Sequence, residues 1–275
     1  NTALSADLVY VSNAAGLPAY SAVNNDHYAQ AESRGVDLKA TLVSSQQSAL
    51  LGIPATATAG LMTTRASSEA FFINGTNRAM FRFTLMNHLC RDLEQLQDPQ
   101  LPPDRIRQDV SRSPGGDSRV YMNNCIGCHT GLEPMTQAFA YYDFDETQQR
   151  LVYTAGVPNA KYFVNADNFK PGYITPDDHW DNYWRKGHNR LLGWGWGTTA
   201  TTGAGTGAKT LGEELANSEA FASCQVQKVF KAVCFRVPQD GADRAKVASI
   251  VQVFRGNGYR MKTVFAETAA YCMGQ

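Results

Sequence analysis

The stretch Cys125-Ile126-Gly127-Cys128-His129 is a single C-x-x-C-H motif near the middle of a chain of 275 residues. Two thiols at this spacing can each form a thioether with a vinyl group of a porphyrin, and the adjacent imidazole is then held at the iron. Cysteine and histidine are uncommon and the spacing is strict. The motif therefore predicts one covalently attached haem c, bound by Cys125 and Cys128, with His129 as an axial ligand of the iron.

Two other uses of a C-x-x-C pair agree less well with the sequence. A structural zinc site needs a second ligand pair at motif spacing, and the chain has no other C-x-x-C, H-x-x-C or H-x-x-H. A thioredoxin-like exchange site needs a βαβ context, whereas the sequence around the motif has a helical character. Haem attachment is therefore the preferred interpretation.

The remaining four cysteines, Cys90, Cys224, Cys234 and Cys272, are either reduced core thiols or two disulfides. Covalent haem is attached outside the bacterial cytoplasm, so we expect disulfides and a periplasmic or extracellular location. Cys224 and Cys234 share one predicted helix, about 15 Å apart, and a disulfide needs Cα atoms within about 7 Å. Two pairings remain, and we favour Cys90 with Cys224 and Cys234 with Cys272.

Composition argues against two classes of partner. Lys plus Arg equals Asp plus Glu, so the net charge is zero and the chain has no basic field for nucleic acid. No apolar run approaches the roughly 18 residues of a membrane span. The chain begins at Asn1 without an initiator Met, and we interpret this as an export signal that was removed or lies outside the sequence.

The pattern along the chain predicts a mostly α fold: a helical c-type cytochrome domain with long irregular loops and a small β-hairpin. We expect an N-terminal and haem-attachment domain over 1–192, a Gly/Thr-rich loop over 193–208 and a C-terminal helical subdomain over 209–275. Strand, helix and hairpin signals are assigned as follows: a strand over 7–11, a helix over 77–97, a helix from Pro134 to Tyr142, a hairpin over 151–164, a helix from Thr175 to Gly187, and C-terminal helices over 218–234, 243–255 and 262–272.

The sixth iron ligand has several candidates. His188 follows Gly187 in a loop that can approach an iron freely, and His179 is the next choice. Met135 lies only six residues beyond His129, so its chain would have to pass around the macrocycle edge. His27 and His88 are interpreted as solvated or hydrogen-bonded. A further possibility is that no side chain of the protein binds the sixth position of the iron.

The segment 179–188 concentrates aromatic and cationic residues. Trp180, Tyr183 and Trp184 can pack on a porphyrin face, and Arg185 and Lys186 can pair with its propionates. An ordinary Trp-rich core helix with histidines on its surface explains this segment equally well.

The motif also carries a family resemblance. Cys125-x-x-Cys-His129-x-x-x-Glu133-Pro134, followed by Phe139 and Tyr142-Asp143, resembles the C-x-x-C-H-x-x-x-D-P…FD signature of the cytochrome-like c-haem domains of unknown function first noted in planctomycetes. Segments on both sides are similar to that family as well: 60–65, 89–90 and 102–103 upstream, and 211–224 downstream. The chain departs at Glu133, where the family has Asp, at Thr136, where it has Gly, and in the long Trp- and Gly-rich stretch before Thr210.

The resemblance implies an exported c-type cytochrome, often at the end of a larger multidomain protein, and it supplies no substrate. The leading hypothesis is one-electron transfer to or from a redox partner protein, and a His sixth ligand would lower the potential relative to Met. The second hypothesis is a peroxidase- or oxygenase-like haem enzyme with an open iron position. The third is a haem-bearing structural subunit of a homo-oligomer or larger extracytoplasmic assembly.

Overall fold

The fold was analysed in a computed structural model that describes residues 2–72, 75–106, 118–163, 173–196 and 201–274. Within these ranges the chain is mostly α-helical and carries three two-stranded antiparallel sheets. The helices are α1 Thr2–Ser5, α2 Asp26–Ser33, α3 Leu38–Thr41, α4 Gln47–Leu51, α5 Arg65–Phe71, α6 Arg78–Thr84, α7 Ser118–Asn124, α8 Ile126–Thr136, α9 Gly207–Ala216, α10 Glu219–Cys234, α11 Gly241–Gly256 and α12 Met261–Met273. The strands are β1 Val9–Ser12, β2 Leu42–Ser45, β3 Tyr142–Asp145, β4 Arg150–Tyr153, β5 His179–Asp181 and β6 Ala204–Thr206.

The main hydrophobic core surrounds the C-terminal half of α8. From Thr130 to Thr136 every residue of this helix is buried, and Leu132 and Met135 join a cluster that extends from Leu4 to Phe221. Trp184 packs so closely on α8 that a Cβ at Gly131 would lie 2.0 Å from its indole nitrogen. The C-x-x-C-H motif therefore occupies the partly exposed end of a helix whose other end is buried in the core.

Pro134 was expected to open a helix, and this prediction is wrong. Pro134 lies inside α8, which begins at Ile126 and carries most of the motif on its first turn. Proline removes one backbone donor and is disfavoured within a helix. The surrounding turn is buried among core residues, so apolar packing and not the backbone hydrogen-bond pattern alone holds this part of the helix.

The predicted helix over 77–97 is only partly present. It comprises α6 and a π-helical turn, Leu85–Leu89, and it ends at Cys90, whose φ is +53°. A separate short 3-10 turn follows at Leu93–Gln95, capped by Asp92. The apolar spacing predicts the helical part of this segment correctly, but it does not predict that the helix ends at Cys90.

The strand expected over 7–11 is present as β1, which pairs with β2. The hairpin expected over 151–164 forms earlier in the chain: β3 pairs with β4, Tyr142 opposite Tyr153 and Asp145 opposite Arg150. The extended helix through Tyr142 is therefore replaced by strand β3, and residues 164–172 lie outside the described part of the chain.

The helix predicted from Thr175 is wrong. The segment forms β5, which pairs with β6 so that Trp180 lies opposite Gly205. The Trp180 indole N–H donates to Thr210 Oγ1 at 2.8 Å, and a Cβ at Gly205 would lie 2.9 Å from the Trp180 ring. Pairing with a glycine-containing strand far along the chain has overridden the local helix-start signal.

The C-terminal helices agree closely with the prediction. Ser218 caps α10 by accepting the Phe221 N–H at 3.1 Å, and α10, α11 and α12 enclose a second apolar cluster around Phe230 and Phe254. Helix α9 contributes to the main core through Leu211 and Leu215. The division of the chain at 193–208 stays a prediction.

The structure contains two disulfides, Cys90–Cys224 and Cys234–Cys272. This is the pairing favoured from the sequence. The first connects the end of the π-helical turn to α10, and the second connects the ends of α10 and α12. No helix in the described ranges combines the length and apolar character needed to cross a bilayer.

We expect Gly131→Ala to destabilise the protein by about 1–3 kcal/mol, because the new methyl group overlaps Trp184 and overpacks the core. The matched control is Gly241→Ala at the start of α11, where a Cβ would have no neighbour within 4 Å. Urea unfolding of both variants provides the measurement. Equal stability of the two would show that α8 and Trp184 are not in close contact.

Candidate haem-attachment site

The first turn of α8 brings the three motif side chains together. Cys125 immediately precedes the helix, and its carbonyl accepts the backbone N–H of Cys128 at 3.3 Å and of His129 at 3.2 Å. These hydrogen bonds close a single helical turn. Two thiols and an imidazole are therefore presented at one helix end.

Cys125 and Cys128 are the two cysteines that form no disulfide, and both are partly exposed. The Cys128 thiol points to the Leu93 carbonyl at 3.6 Å. Burial is the main effect that raises the pKa of the Cys128 thiol, with the carboxylate of Glu94 adding to it. Thiol–disulfide exchange is favoured by a thiol of lowered pKa, and the surroundings of Cys128 act in the opposite direction.

A buried carboxylate orients the imidazole of His129. His129 Nδ1 lies 2.6 Å from Glu133 Oε1, one turn later on α8, and the Glu133 side chain is only 1% exposed. A carboxylate beside Nδ1 favours the tautomer that carries its proton there. When a histidine is bound to a metal, a hydrogen bond from its other ring nitrogen to a carboxylate fixes the ring orientation and raises its basicity.

Arg78 completes this arrangement from another helix. Its Nε donates to Glu133 Oε1 at 2.6 Å. The start of α6 is anchored by Asn77, whose buried amide donates to the carbonyls of Phe139 and Tyr142, each at 2.9 Å. Arg78 thus neutralises the Glu133 charge that would otherwise be costly to bury.

An apolar contact lies next to the first thiol, because Ile106 is buried against Cys125 and Ile126. The Cys128 thiol, in contrast, lies in the field of the Glu94 carboxylate. The two thiols therefore differ in their surroundings.

The structure does not assign the sixth-ligand role to any of the three candidates. His188 is on the surface, 58% exposed, with Nδ1 3.5 Å from Asp98 Oδ2. Asp98 itself is bound to α8, because its backbone N–H donates to the Gly127 carbonyl and its carbonyl accepts from Thr130. His188 therefore lies close to the motif helix through Asp98, and its role as ligand stays a prediction.

Met135 and His179 are placed less favourably. Met135 is fully buried in the main core and shares its helix with His129, so one rigid helix would have to serve both faces of a porphyrin. His179 is partly exposed on β5, with Nε2 3.6 Å from Asp181 Oδ2.

His27 is hydrogen-bonded as expected, whereas His88 differs from its expectation, because it is buried and its Nε2 has no hydrogen-bond partner among the described residues. His27 is buried with both ring nitrogens engaged: Nε2 accepts the Ser12 N–H at 2.9 Å, and Nδ1 lies 2.7 Å from the Pro18 carbonyl. His88 is buried on the π-helical turn, and burial, with a smaller effect of Lys228, lowers its pKa to about 4.

The two tryptophans of segment 179–188 lie in the core, as the alternative interpretation expected, but they lie on a strand and a 3-10 turn instead of a helix. Trp180 and Trp184 are fully buried. Arg185 is bound to the buried Glu214, with Nε 2.8 Å from Oε1 and Nη2 2.7 Å from Oε2. The arginine expected to pair with a propionate therefore satisfies an internal carboxylate.

Two residues of the site were not recognised as functional from the sequence. The spacing of His129 and Glu133, four residues apart on one helix, is a signal that side chains at these positions meet. Arg78 lies 55 residues from Glu133 along the chain, and no local pattern connects them.

Comparisons with protein-family models, characterised proteins and solved structures find no significant match to this chain. The resemblance to the planctomycete-type cytochrome-like domains stays a prediction. Within the described ranges no three His, Cys, Asp or Glu side chains converge as a site for a bare metal ion. A haem iron does not require such a cluster, because the porphyrin supplies four of its ligands.

We expect His88 to make stability pH-dependent. In the unfolded chain its pKa is near 6.5, whereas the folded value is about 4, so between these values the unfolded chain binds a proton that the folded chain does not. Stability should therefore fall as pH drops from 6.5 to 4, by up to about 3 kcal/mol from this group.

Denaturant unfolding across that range should show a shallower pH dependence in His88→Phe than in the wild type. Met86→Leu, an exposed position on the same π-helical turn without a titrating group, is the control and should keep the wild-type slope. Identical slopes in His88→Phe and wild type would contradict the assignment.

Proposed function

We propose that Cys125 and Cys128 carry one haem c, that His129 is an axial ligand through Nε2, and that the protein transfers single electrons to or from a partner protein. The observation that carries the proposal is that two thiols and an oriented imidazole lie together at one end of α8. The two cysteines outside the disulfides are at C-x-x-C-H spacing, and the adjacent imidazole is oriented by a buried carboxylate.

The residues of the chain would have separate tasks. Cys125 and Cys128 would fix the position of the group, and a bound haem iron supplies the one-electron chemistry by cycling between its ferrous and ferric states. Glu133 would hold the His129 ring and increase its basicity, which stabilises the more positive iron and lowers the potential. Arg78 would keep Glu133 charged and in place.

The compartment follows from the same reasoning. Two disulfides indicate an oxidising environment, and covalent haem attachment adds the bacterial periplasm or the extracellular side.

One observation supports a haem enzyme as the second candidate. A carboxylate on the Nδ1 of the proximal histidine makes the imidazole a stronger electron donor, which favours activation of a small oxidant at an open iron position. Both candidates use the same attachment residues, and they differ in whether the iron accepts an external ligand.

Covalent haem is tested by producing the chain together with a c-type cytochrome maturation system. After denaturing extraction, a pyridine haemochrome spectrum should give about one haem per wild-type chain. The double variant Cys125→Ala/Cys128→Ala should retain none, because no thioether can form. The matched control Cys234→Ser/Cys272→Ser removes two cysteines elsewhere and should keep the haem. Haem-free wild type would refute the proposal.

Carbon monoxide binding to the reduced holoprotein then separates the two candidates. No binding would support electron transfer through a six-coordinate iron, and rapid binding would support the enzyme. In the first case, loss of the low-spin spectrum in His188→Ala would identify His188 as the sixth ligand, and an unchanged spectrum would exclude it.

We expect Glu133→Gln to raise the reduction potential of the holoprotein by up to about 60 mV, because a charge-assisted hydrogen bond to His129 becomes a neutral one. Glu146→Gln, at an exposed position, is the charge-matched control. Equal potentials for the two variants in a spectroelectrochemical titration would show that Glu133 does not act on the axial imidazole.

A further inference from the structure

A groove of about 440 Å³, which we call the α10–α11 groove, lies between these two helices. Its apolar part includes Val247 and Val251, which are 7% and 3% exposed. Neutral polar side chains line it as well: Ser223 and Gln227 on α10, and Gln252 on α11. Sites for small ligands commonly have this volume and this combination of apolar surface with a few polar groups.

The two helices that line the groove run in opposite directions. Only six residues, 235–240, connect the end of α10 to the start of α11. At the other end of the helix pair, the Trp196 N–H donates to the Asn217 carbonyl at 2.7 Å, and the Arg255 guanidinium carbon lies 4.5 Å from the centroid of the Trp196 ring. Residues early in α10 therefore lie beside residues late in α11.

This antiparallel arrangement places opposite charges at opposite ends of the groove. Glu219 is the first residue of α10, and Arg244 lies in the first turn of α11; both line the groove and are exposed. The Arg244 guanidinium has a long hydrogen bond, 3.4 Å to the Gln239 carbonyl. Eight residue steps separate Glu219 from Gln227, and Arg244 from Gln252, which is about 12 Å along each helix.

A ligand that matches both ends carries a positive group about 12 Å from a negative group. An extended chain spans about 3.3–3.6 Å per residue, so a free peptide of three or four residues has its ammonium and carboxylate groups at this separation. A guanidinium such as that of Arg244 binds a carboxylate with two parallel hydrogen bonds. Between the ends, the side chains of Ser223, Gln227 and Gln252 can each donate to or accept from peptide groups.

We propose that the α10–α11 groove binds a short free peptide in an extended conformation, with its ammonium group on Glu219 and its carboxylate on Arg244. The side chains of the peptide then pack against Val247 and Val251. The Glu219 N–H donates to the Gly193 carbonyl at 2.9 Å, which holds the start of α10 in place at the ammonium end. The proposal does not depend on haem attachment.

The test uses tetraalanine and its two blocked forms on the full chain, by isothermal titration calorimetry. Tetraalanine should bind about three- to fivefold more tightly than its N-acetyl form, which lacks the ammonium group, and than its C-terminal amide, which lacks the carboxylate. This factor is the contribution of about one exposed ion pair. Dialanine is too short to reach both ends and should also bind more weakly. Tetraalanine should shift the methyl NMR signals of Val247 and Val251.

Two variants assign the two ends. Glu219→Gln should lose the preference for a free ammonium group and keep the preference for a free carboxylate, and Arg244→Gln should do the opposite. The matched controls, Glu32→Gln and Arg260→Gln, are at exposed positions outside the groove and should keep both preferences. Circular dichroism and a melting curve check that each variant folds. The proposal would be overturned if wild type did not bind tetraalanine, if it bound all three forms equally, or if the two variants lost the same preference.

Discussion

The rest of the candidate site depends on one constraint: the Glu133 carboxylate is buried and must be paired. A charge removed from water is stable only with partners of good geometry, and Glu133 has Arg78 on α6 and His129 on its own helix. The pairing fixes α6 against α8 and sets the ring orientation of the imidazole. The same contact therefore supports the fold and orients the imidazole that we propose as an axial ligand.

One helical stretch connects the candidate site to the C-terminal helices. It begins with Arg78 beside Glu133 and continues through the π-helical turn to His88, about 15 Å further along at the usual helical rise, before it ends at Cys90. The disulfide from Cys90 to Cys224 fastens its far end to α10. The six cysteines thus divide into four that brace this frame and two that stay available as thiols at the motif.

Short-range sequence patterns predicted those elements that are specified by residues close together in the chain. Ser218 before an apolar helix predicted the start of α10. The helical rise excluded a disulfide between Cys224 and Cys234, and the observed pairing is one of the two that remained. The prediction of a helix from Thr175 is wrong because Trp180 pairs with Gly205 on another strand, and no residue near Thr175 indicates that pairing. The prediction that Pro134 opens a helix is wrong because Pro134 lies inside α8, within its buried half.

By itself the sequence determined the attachment chemistry that we propose, because C-x-x-C-H works through residues within one helical turn. It also determined the largely helical class and the C-terminal helices, whose apolar periodicity and caps are local. Only the tertiary structure decided that Arg78 meets Glu133 and that Glu219 and Arg244 line one groove. The physical reason is distance along the chain: these contacts join residues on different helices, and packing of the whole core selects them rather than any short-range pattern.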